Sequence, residues 1–248
     1  MLHRSVSSVT KLLVSPTDEN DAAEAVAGGA DIIDVKDPTA GSLGAAVPEL
    51  IRRVKKAVGK SIPVSAALGD VPNLPGTVAQ AALGASIAGA DYVKVGLHGT
   101  RNHEDARGIL GSVVQTLDEF NRESITVAAL YADHNRAGTL DPLDLPSIVQ
   151  GIGVGVVMLD TAIKDGRNLF DFLSDSEVSE FVLDSKNQDL EVALAGSLNG
   201  ESFARAARLK PDIIGVRTAA LTDGDRNSGR VDSSLVAELK GILKHHSV

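Results

Sequence analysis

The fold is decided by a stretch that reads AGADYVKVG at residues 88–96 and recurs in altered form elsewhere along the chain. In this stretch glycine turns the chain, an Asp follows, and a short apolar run begins. The same order appears in AGGADIIDVK at residues 27–36, and KPDIIGVR at residues 210–217 has proline in place of glycine. Glycine commonly follows the end of a helix, and runs rich in Val and Ile form buried strands. Each stretch therefore predicts the end of a helix and the start of a strand.

Eight apolar runs of strand length recur at an even spacing, at residues 12–15, 32–36, 64–68, 92–97, 126–131, 156–160, 192–196 and 213–217. Segments with helical spacing separate them, at residues 18–27, 47–58, 77–88, 103–120, 145–150, 171–186, 200–209 and 233–245. This alternation predicts an α/β fold in the form of a (β/α)8 barrel. The alternative is an open doubly wound sheet, which usually has a Gly-rich turn after its first strand, whereas residues 14–18 read VSPTD. No linker interrupts the pattern, so we expect one domain over residues 1–248, with residues 1–10 as a flexible leader.

The composition excludes several classes of function. A net charge of −9 gives no support to a nucleic-acid or anionic-membrane partner. The absence of cysteine excludes disulfides, thiolate catalysis and cysteine-ligated metals. No two histidines have metal-binding spacing, and no apolar run approaches the length of a membrane span. We therefore expect a cytoplasmic protein that holds no metal or cofactor, and we expect it to form a homo-oligomer.

Three lysines lie in or just after these apolar runs. Lys36 and Lys94 belong to predicted strands, and Lys164 follows the end of a third strand by four residues. Lysine is almost never fully buried without a partner, and in a partly dry pocket beside other cations it loses its proton more readily. The neutral amine can then attack a carbonyl and form a Schiff base. The sequence therefore indicates a lysine-dependent carbonyl enzyme, although Lys164 taken alone is better explained as a surface charge in a loop.

Two aspartates accompany the lysines. Side chains alternate along a strand, so Asp34 shares a face with Lys36, and the same alternation turns Lys94 toward the inside of the barrel. Asp160 ends the sixth predicted strand, shortly before Lys164. Active sites of such barrels lie at the C-terminal ends of the strands, so we expect these five side chains at one mouth. There one amine would attack while the other groups move protons or hold an oxyanion.

A phosphate site is predicted in the loops after strands seven and eight, where many barrels bind phosphate through backbone N–H groups. Gly196 and Ser197 begin the first of these loops and allow close approach of the backbone. Gly215 and Arg217 begin the second, where the guanidinium could pair with phosphate oxygens. The alternative is an ordinary turn beside a surface arginine.

Several longer motifs resemble those of one enzyme family. They are LVSP (13–16), GGADIIDVK (28–36), GSLG (41–44), GDVP (69–72), GADYVKVGL (89–97), LDTAIKDG (159–166) and GDRN (224–227). Together they resemble the (5-formylfuran-3-yl)methyl phosphate synthases of methanofuran biosynthesis, and the resemblance runs from about residue 11 to the C-terminus. It implies a barrel related to class I aldolases. Such an enzyme joins two molecules of glyceraldehyde 3-phosphate into a phosphorylated furan aldehyde, with loss of phosphate and water.

The resemblance also implies roles for individual residues. Lys36 would form the Schiff base and Lys94 would accept the proton, while Asp34, Asp160 and Lys164 would complete the proton-transfer group. From the residues alone, two alternatives stay open. One is a different Schiff-base aldolase or isomerase of phosphosugars on the same barrel, and the other is a non-enzymatic barrel that binds phosphorylated metabolites.

Two phosphorylated substrates would need two anion sites. The polar loop at residues 223–230 could supply the second, through Arg226 or Arg230, or it could be a lid or a subunit contact. Tyr131 and Asp133, at the end of the fifth strand, are further candidates to line the pocket.

Overall fold

The computed structural model describes residues 9–70, 72–120, 122–226 and 228–246, and its strands close into a parallel barrel. The strands are β1 Lys11–Val14, β2 Ile32–Val35, β3 Val64–Ala67, β4 Tyr92–Gly96, β5 Ile125–Tyr131, β6 Val156–Asp160, β7 Glu191–Leu194 and β8 Ile213–Val216. Each strand pairs with the next along the chain, and β8 closes on β1 with Leu13 opposite Gly215. The predicted (β/α)8 barrel is therefore confirmed.

Helices follow the strands on the outside of the barrel. They are α1 Glu19–Ala27, α2 Pro48–Val58, α3 Pro75–Ile87, α4 His103–Glu119, α5 His134–Ala137, α6 Leu145–Val149, α7 Asp175–Lys186, α8 Gly200–Arg208 and α9 Ser233–His246. The predicted helix at residues 171–186 begins later, because Ser174 and Glu177 form a capping box at that point. The short helix α5 was not predicted, since a single turn contains too few residues to show a period.

Apolar side chains form two separate layers. The larger layer lies between strands and helices and includes Val93 and Val95, while their neighbour Tyr92 belongs to a smaller cluster inside the barrel. The alternation predicted for β4 is therefore confirmed. The inner cluster also contains Leu13, Ile32 and residues of β5 to β8.

The Asp that precedes a strand in the recurring stretch has a structural role at the N-terminal end of the barrel. Its carboxylate accepts a main-chain N–H from the start of the preceding strand and pairs with a lysine. The N–H bonds, at 2.7–2.9 Å, are Leu12 to Asp31, Val64 to Asp91 and Val192 to Asp212. The lysine pairs are Lys240–Asp31, Lys55–Asp91 and Lys186–Asp212, called here the lower ion pairs. The N–H bonds join neighbouring strands where the barrel begins, and the lysines attach α9, α2 and α7 to the same aspartates.

The expected leader falls mostly outside the described residues, which begin at Val9. Thr10 is tied to the barrel, because its Oγ1 donates a hydrogen bond to the carbonyl of Pro211 at 2.7 Å. Across the described ranges, no helix has both the length and the apolar character needed to span a membrane.

Candidate active site

A cavity of about 350 Å³ opens at the C-terminal end of the barrel. Its charged lining is Asp34, Lys36, Lys94, Asp160, Lys164, Arg217 and Arg226. Gly196, Ser197 and Gly215 also line it, so the structure brings together every predicted site residue except Arg230, Tyr131 and Asp133. Six of the eight strands or the loops that follow them contribute, namely β1, β2, β4, β6, β7 and β8.

Two of the lysines form buried ion pairs, called here the upper ion pairs. Lys94 Nζ donates to Asp34 Oδ1 at 2.8 Å, and the two side chains are 2% and 1% exposed. Lys164 Nζ donates to Asp160 Oδ1 at 2.6 Å and to Thr161 Oγ1 at 3.1 Å. Lys164 is partly buried and lines the cavity, so the interpretation of this residue as a surface charge is wrong.

Lys36 differs from both because its amine has no partner. Its Nζ makes no hydrogen bond or ion pair with any part of the chain that the structure describes, although the residue is buried. Burial lowers the pKa of Lys36 to about 7, and the positive charges of Lys94 and Lys164 act in the same direction. Asp34 and Asp160 oppose this change. A large fraction of the Lys36 amine is therefore neutral and nucleophilic at neutral pH.

The two carboxylates of the upper ion pairs stay ionised despite their burial. Burial would raise the pKa of Asp34, but the charges of Lys94 and Lys36 hold it below its usual value. Burial would likewise raise the pKa of Asp160, which Lys164 and Lys36 lower instead. Each carboxylate also accepts a neutral donor, Ser15 Oγ for Asp34 at 3.0 Å and the N–H of Thr161 for Asp160 at 2.7 Å.

Gly196 and Ser197, in the loop after β7, line the cavity and both have positive φ, +102° and +50°. The N–H groups of Gly196, Ser197 and Leu198 make no hydrogen bond to any described residue, and neither does that of Thr218 after β8. Unpaired backbone donors at the edge of a cavity form a site for an anion.

Arg217 binds the main chain as well as lining the cavity. Its Nε and Nη2 donate to the carbonyl of Arg226 at 2.9 and 2.6 Å, and its Nη1 donates to the carbonyl of Ser15 at 2.7 Å. Since a guanidinium has five N–H donors, some remain for an anion. Arg217, which was predicted to bind phosphate, therefore also holds the main chain of Arg226 at the edge of the cavity.

The two arginines of the polar loop have different surroundings. The guanidinium of Arg226 lines the cavity, with Nη2 at 3.3 Å from the carbonyl oxygen of Gly41. Arg230 lies outside the cavity lining and pairs with Asp18 at 2.7 Å and Asp21 at 3.0 Å, beside the start of α1. Arg226 is therefore the candidate of the two that can reach a ligand.

Tyr131 and Asp133 do not line the cavity. Asp133 accepts the N–H groups of Ala162 and Ile163 at 2.7 and 2.9 Å and so fixes the loop that carries Lys164. Tyr131 is fully buried and donates its hydroxyl to Asp70. Sequence reasoning did not single out Asp70, although it lies within the GDVP motif at residues 69–72.

Comparisons with known proteins show which family the chain belongs to. The model of the 4-HFC-P synthase family matches residues 12–240. The (5-formylfuran-3-yl)methyl phosphate synthase of Methanocaldococcus jannaschii is 49% identical over 233 residues, which cover 94% of this chain and 99% of that protein. The chain belongs to this family. Synthases of the same name from Methanopyrus kandleri (50% identity) and Methanothermobacter thermautotrophicus (46% identity) each cover 94% of this chain and 98% of their own length.

Members of the 4-HFC-P synthase family are named as synthases, so the chain belongs to a family of enzymes and the resemblance predicted from its motifs is confirmed. Solved structures share the barrel at low identity. The 3-hexulose-6-phosphate synthase of Salmonella typhimurium has a TM-score of 0.65 and 17% identity, over 96% of this chain and 100% of that chain. Thiamine phosphate pyrophosphorylase from Pyrococcus furiosus has a TM-score of 0.60 and 13% identity, over 96% and 97%. These likenesses concern the fold alone.

Proposed function

We propose that the protein condenses two molecules of glyceraldehyde 3-phosphate into (5-formylfuran-3-yl)methyl phosphate through a Schiff base on Lys36, as a step of methanofuran biosynthesis. The observation that carries this proposal is the amine of the buried residue Lys36, which lines the cavity, has no partner in the described chain and has a pKa lowered by burial to about 7. Membership of the family supplies the product, which the relatives carry in their name.

The first step uses the neutral amine of Lys36. Its Nζ attacks the aldehyde carbon of one substrate molecule, and the carbonyl oxygen leaves as water after it has taken up protons. The resulting protonated imine withdraws electrons and makes the neighbouring C–H bond acidic. After the Lys94 ammonium, paired with Asp34, has given a proton to that departing oxygen, its neutral amine is the group proposed to take the proton from the C–H bond.

The later steps require the loss of hydroxyl and phosphate groups. Lys164, whose ammonium group is paired with the ionised Asp160, lies on the opposite side of the barrel from β2 and is proposed to protonate the departing oxygens. Two triose phosphates contain the atoms of the product plus one phosphate and two water molecules. The overall reaction therefore balances without an oxidant or a reductant.

The two phosphate groups are proposed to bind at different places. Backbone N–H groups of Gly196 and Ser197 and the remaining donors of Arg217 would hold one, with Gly215 allowing close approach. Arg226 would hold the other from the edge of the cavity. Charge-assisted hydrogen bonds from guanidinium groups and N–H donors are the usual means of binding phosphate.

Incubation of the purified protein with glyceraldehyde 3-phosphate alone tests the proposal. We expect the furan aldehyde and inorganic phosphate in equal amounts, identified by mass spectrometry and a phosphate assay. Dihydroxyacetone phosphate as the sole product would identify an isomerase, and a hexose bisphosphate would identify an ordinary aldolase. Unchanged substrate, without an adduct after borohydride reduction, would indicate a barrel that only binds metabolites.

A further inference from the structure

Ser15 lines the cavity, yet the chemistry proposed above gives it no role. It directly follows β1, within the LVSP motif at residues 13–16, and only 2% of the residue is exposed. Its hydroxyl donates a hydrogen bond to Asp34 Oδ2 at 3.0 Å. The hydroxyl therefore contacts the carboxylate of an upper ion pair.

The main chain of Ser15 is held by contacts that do not involve its hydroxyl. Its N–H donates to the carbonyl of Val216 at 3.0 Å, and its carbonyl accepts a hydrogen bond from Arg217 Nη1 at 2.7 Å. Pro16 follows, and a residue before proline favours an extended backbone. A substitution that removes only the hydroxyl of Ser15 therefore leaves these contacts in place.

The carboxylate of Asp34 is held from two sides. Oδ1 accepts a hydrogen bond from Lys94 on β4 at 2.8 Å, and Oδ2 accepts one from Ser15 after β1. Since β1 and β4 lie on opposite sides of β2, these two donors restrict the rotation of the carboxylate. In the other upper ion pair, Asp160 Oδ1 accepts both Lys164 and a main-chain N–H. The neutral donor to Asp34 is a side chain, which a substitution can remove.

The orientation of this carboxylate matters to Lys36. The two residues are two positions apart in sequence, so their side chains leave the chain on the same face. Of the charges that act on the amine of Lys36, that of Asp34 has the largest effect and raises its pKa. Lys36 nevertheless forms no ion pair with any residue that the structure describes. A turn of the Asp34 carboxylate toward Lys36 would create one.

Other elements of the mouth contribute further charges around the amine. Those in the cavity lining are Lys94 on β4, Asp160 and Lys164 at and after the end of β6, and Arg217 and Arg226 after β8. The described lining residues after β7 are uncharged. Titratable groups near the strand ends but outside the lining are Asp37, Asp70, His98, Tyr131, Asp133 and His134. Of all these groups and Asp34, the hydroxyl of Ser15 donates only to Asp34 in the described chain.

We propose that Ser15 is a positioning residue, which keeps the carboxylate of Asp34 turned toward Lys94 and so leaves the amine of Lys36 free to attack the aldehyde. This inference rests on the proposed function, because it explains how the amine assigned to the Schiff base stays unpaired among the described residues. Without the hydroxyl, the carboxylate can turn and accept Lys36. A lysine paired in this way keeps its proton at neutral pH and is not nucleophilic.

The test measures the protonation of Lys36 with formaldehyde and cyanoborohydride, which methylate neutral lysine amines and need no substrate. Peptide mass spectrometry follows the rate at Lys36 across a series of pH values, and Lys56, exposed on α2, serves as an internal reference. In Ser15→Ala the midpoint of the profile should move upward by about 1–3 pH units, the effect of a close opposite charge. Methylation at pH 7 should therefore fall at least about fivefold, and the two rates should converge above the new midpoint.

Two controls separate positioning from a general effect on the fold. Ser15→Thr keeps the hydroxyl and should keep the wild-type midpoint. Thr17→Val removes a matched hydroxyl, which donates at 3.0 Å to Oδ2 of the buried Asp21, while Oδ1 of Asp21 pairs with Arg230 at 3.0 Å. These three residues lie outside the cavity lining, so Thr17→Val should leave the midpoint at Lys36 unchanged.

Each outcome decides a separate question. An unchanged midpoint in folded Ser15→Ala, or an equal shift in Ser15→Thr or Thr17→Val, would overturn the role of the Ser15 hydroxyl and leave the proposed function intact. If Ser15→Ala does not fold, Ser15→Cys decides, because a thiol is only a weak donor. A wild-type protein that gains no mass at Lys36 from glyceraldehyde 3-phosphate and borohydride would overturn the proposed function. The formaldehyde series would still show whether Ser15 controls the amine.

Discussion

Lysine–aspartate pairs occur at both ends of the barrel and differ in their access to water. In the lower ion pair Lys55–Asp91, the side chains are 21% and 45% exposed. In the upper ion pair Lys94–Asp34, they are almost fully buried. Ion pairs in contact with water contribute little to stability, whereas removal of one partner from a buried pair leaves an uncompensated charge and costs several kcal/mol. The same two residue types can therefore join strands at one end and serve chemistry at the other.

The difference between the two ends of the barrel also explains why the amine of Lys36 is reactive. Each aspartate of the lower ion pairs binds a lysine and also accepts a main-chain N–H. At the mouth, two carboxylates face three lysines, and Lys36 is the lysine left without a partner among the described residues. A surplus of buried positive charge disfavours further protonation. Burial of Lys36 has the larger effect, and together the two lower the pKa of its amine to about 7.

The largest expected effect comes from Lys36→Arg, which keeps a positive charge and removes the amine. A guanidinium is not deprotonated in proteins, so it cannot form an imine. Turnover should fall by at least about 10⁴-fold, as for the loss of an enzymatic nucleophile. Product formation from glyceraldehyde 3-phosphate measures it, and circular dichroism checks that the barrel is folded. Residual turnover within tenfold of wild type would remove Lys36 from the mechanism.

The next largest effect is expected when one lysine from each end of the barrel is substituted and the two variants are compared. Lys94→Ala should reduce turnover by about 10²–10⁴-fold, the range for a general acid–base group, and should destabilise the protein by roughly 3–5 kcal/mol because Asp34 stays buried without its partner. Lys55→Ala should cost about 1 kcal/mol or less and leave turnover unchanged. Urea unfolding and turnover per folded molecule measure both quantities. Equal effects of the two substitutions would show that burial does not separate the pairs.

Two arginines near the mouth of the barrel provide a comparison in which the expected effect on activity is smaller. Arg217→Ala removes donors from the proposed phosphate site and releases Arg226, so KM should rise about 10–100-fold, the effect of losing hydrogen bonds to a charged group. Inhibition by inorganic phosphate should weaken in parallel. Arg230→Ala is the matched control, because its guanidinium pairs with Asp18 and Asp21 outside the cavity lining. A rise in KM only for Arg230→Ala would reverse these assignments.

The smallest effect on activity is expected from a substitution at the N-terminal end of the barrel, where the lower ion pairs lie. Asp91→Ala leaves the buried N–H of Val64 without its acceptor and should reduce the free energy of unfolding by about 1–3 kcal/mol. Turnover per folded molecule should equal that of wild type, since Asp91 precedes β4 and the cavity lies at the other end. A large loss of turnover in folded Asp91→Ala would mean that the two ends are coupled.

Sequence patterns predicted the fold well because its signals are local. Glycine–Asp turns and apolar runs predicted all eight strands, and alternation placed Asp34, Lys36 and Lys94 inside the barrel. The partners of each charge could not be predicted, since they depend on distances between residues far apart in the chain. Arg230 pairs with Asp18 across 212 positions, and Ser42 reaches Thr161 across 119. Which lysine lacks a partner is a result of such distances.

The central claim is that the amine of Lys36, which has no partner in the part of the chain that the structure describes, forms the Schiff base. Its most direct test is the pH dependence of borohydride labelling with glyceraldehyde 3-phosphate, followed at each lysine by peptide mass spectrometry. Burial lowers the pKa of Lys36 to about 7, and the neutral form reacts, so labelling at Lys36 should rise about tenfold per pH unit below pH 7 and level off above it. Labelling at Lys94 or Lys164 in its place, or a rate that keeps rising toward pH 10, would contradict the claim.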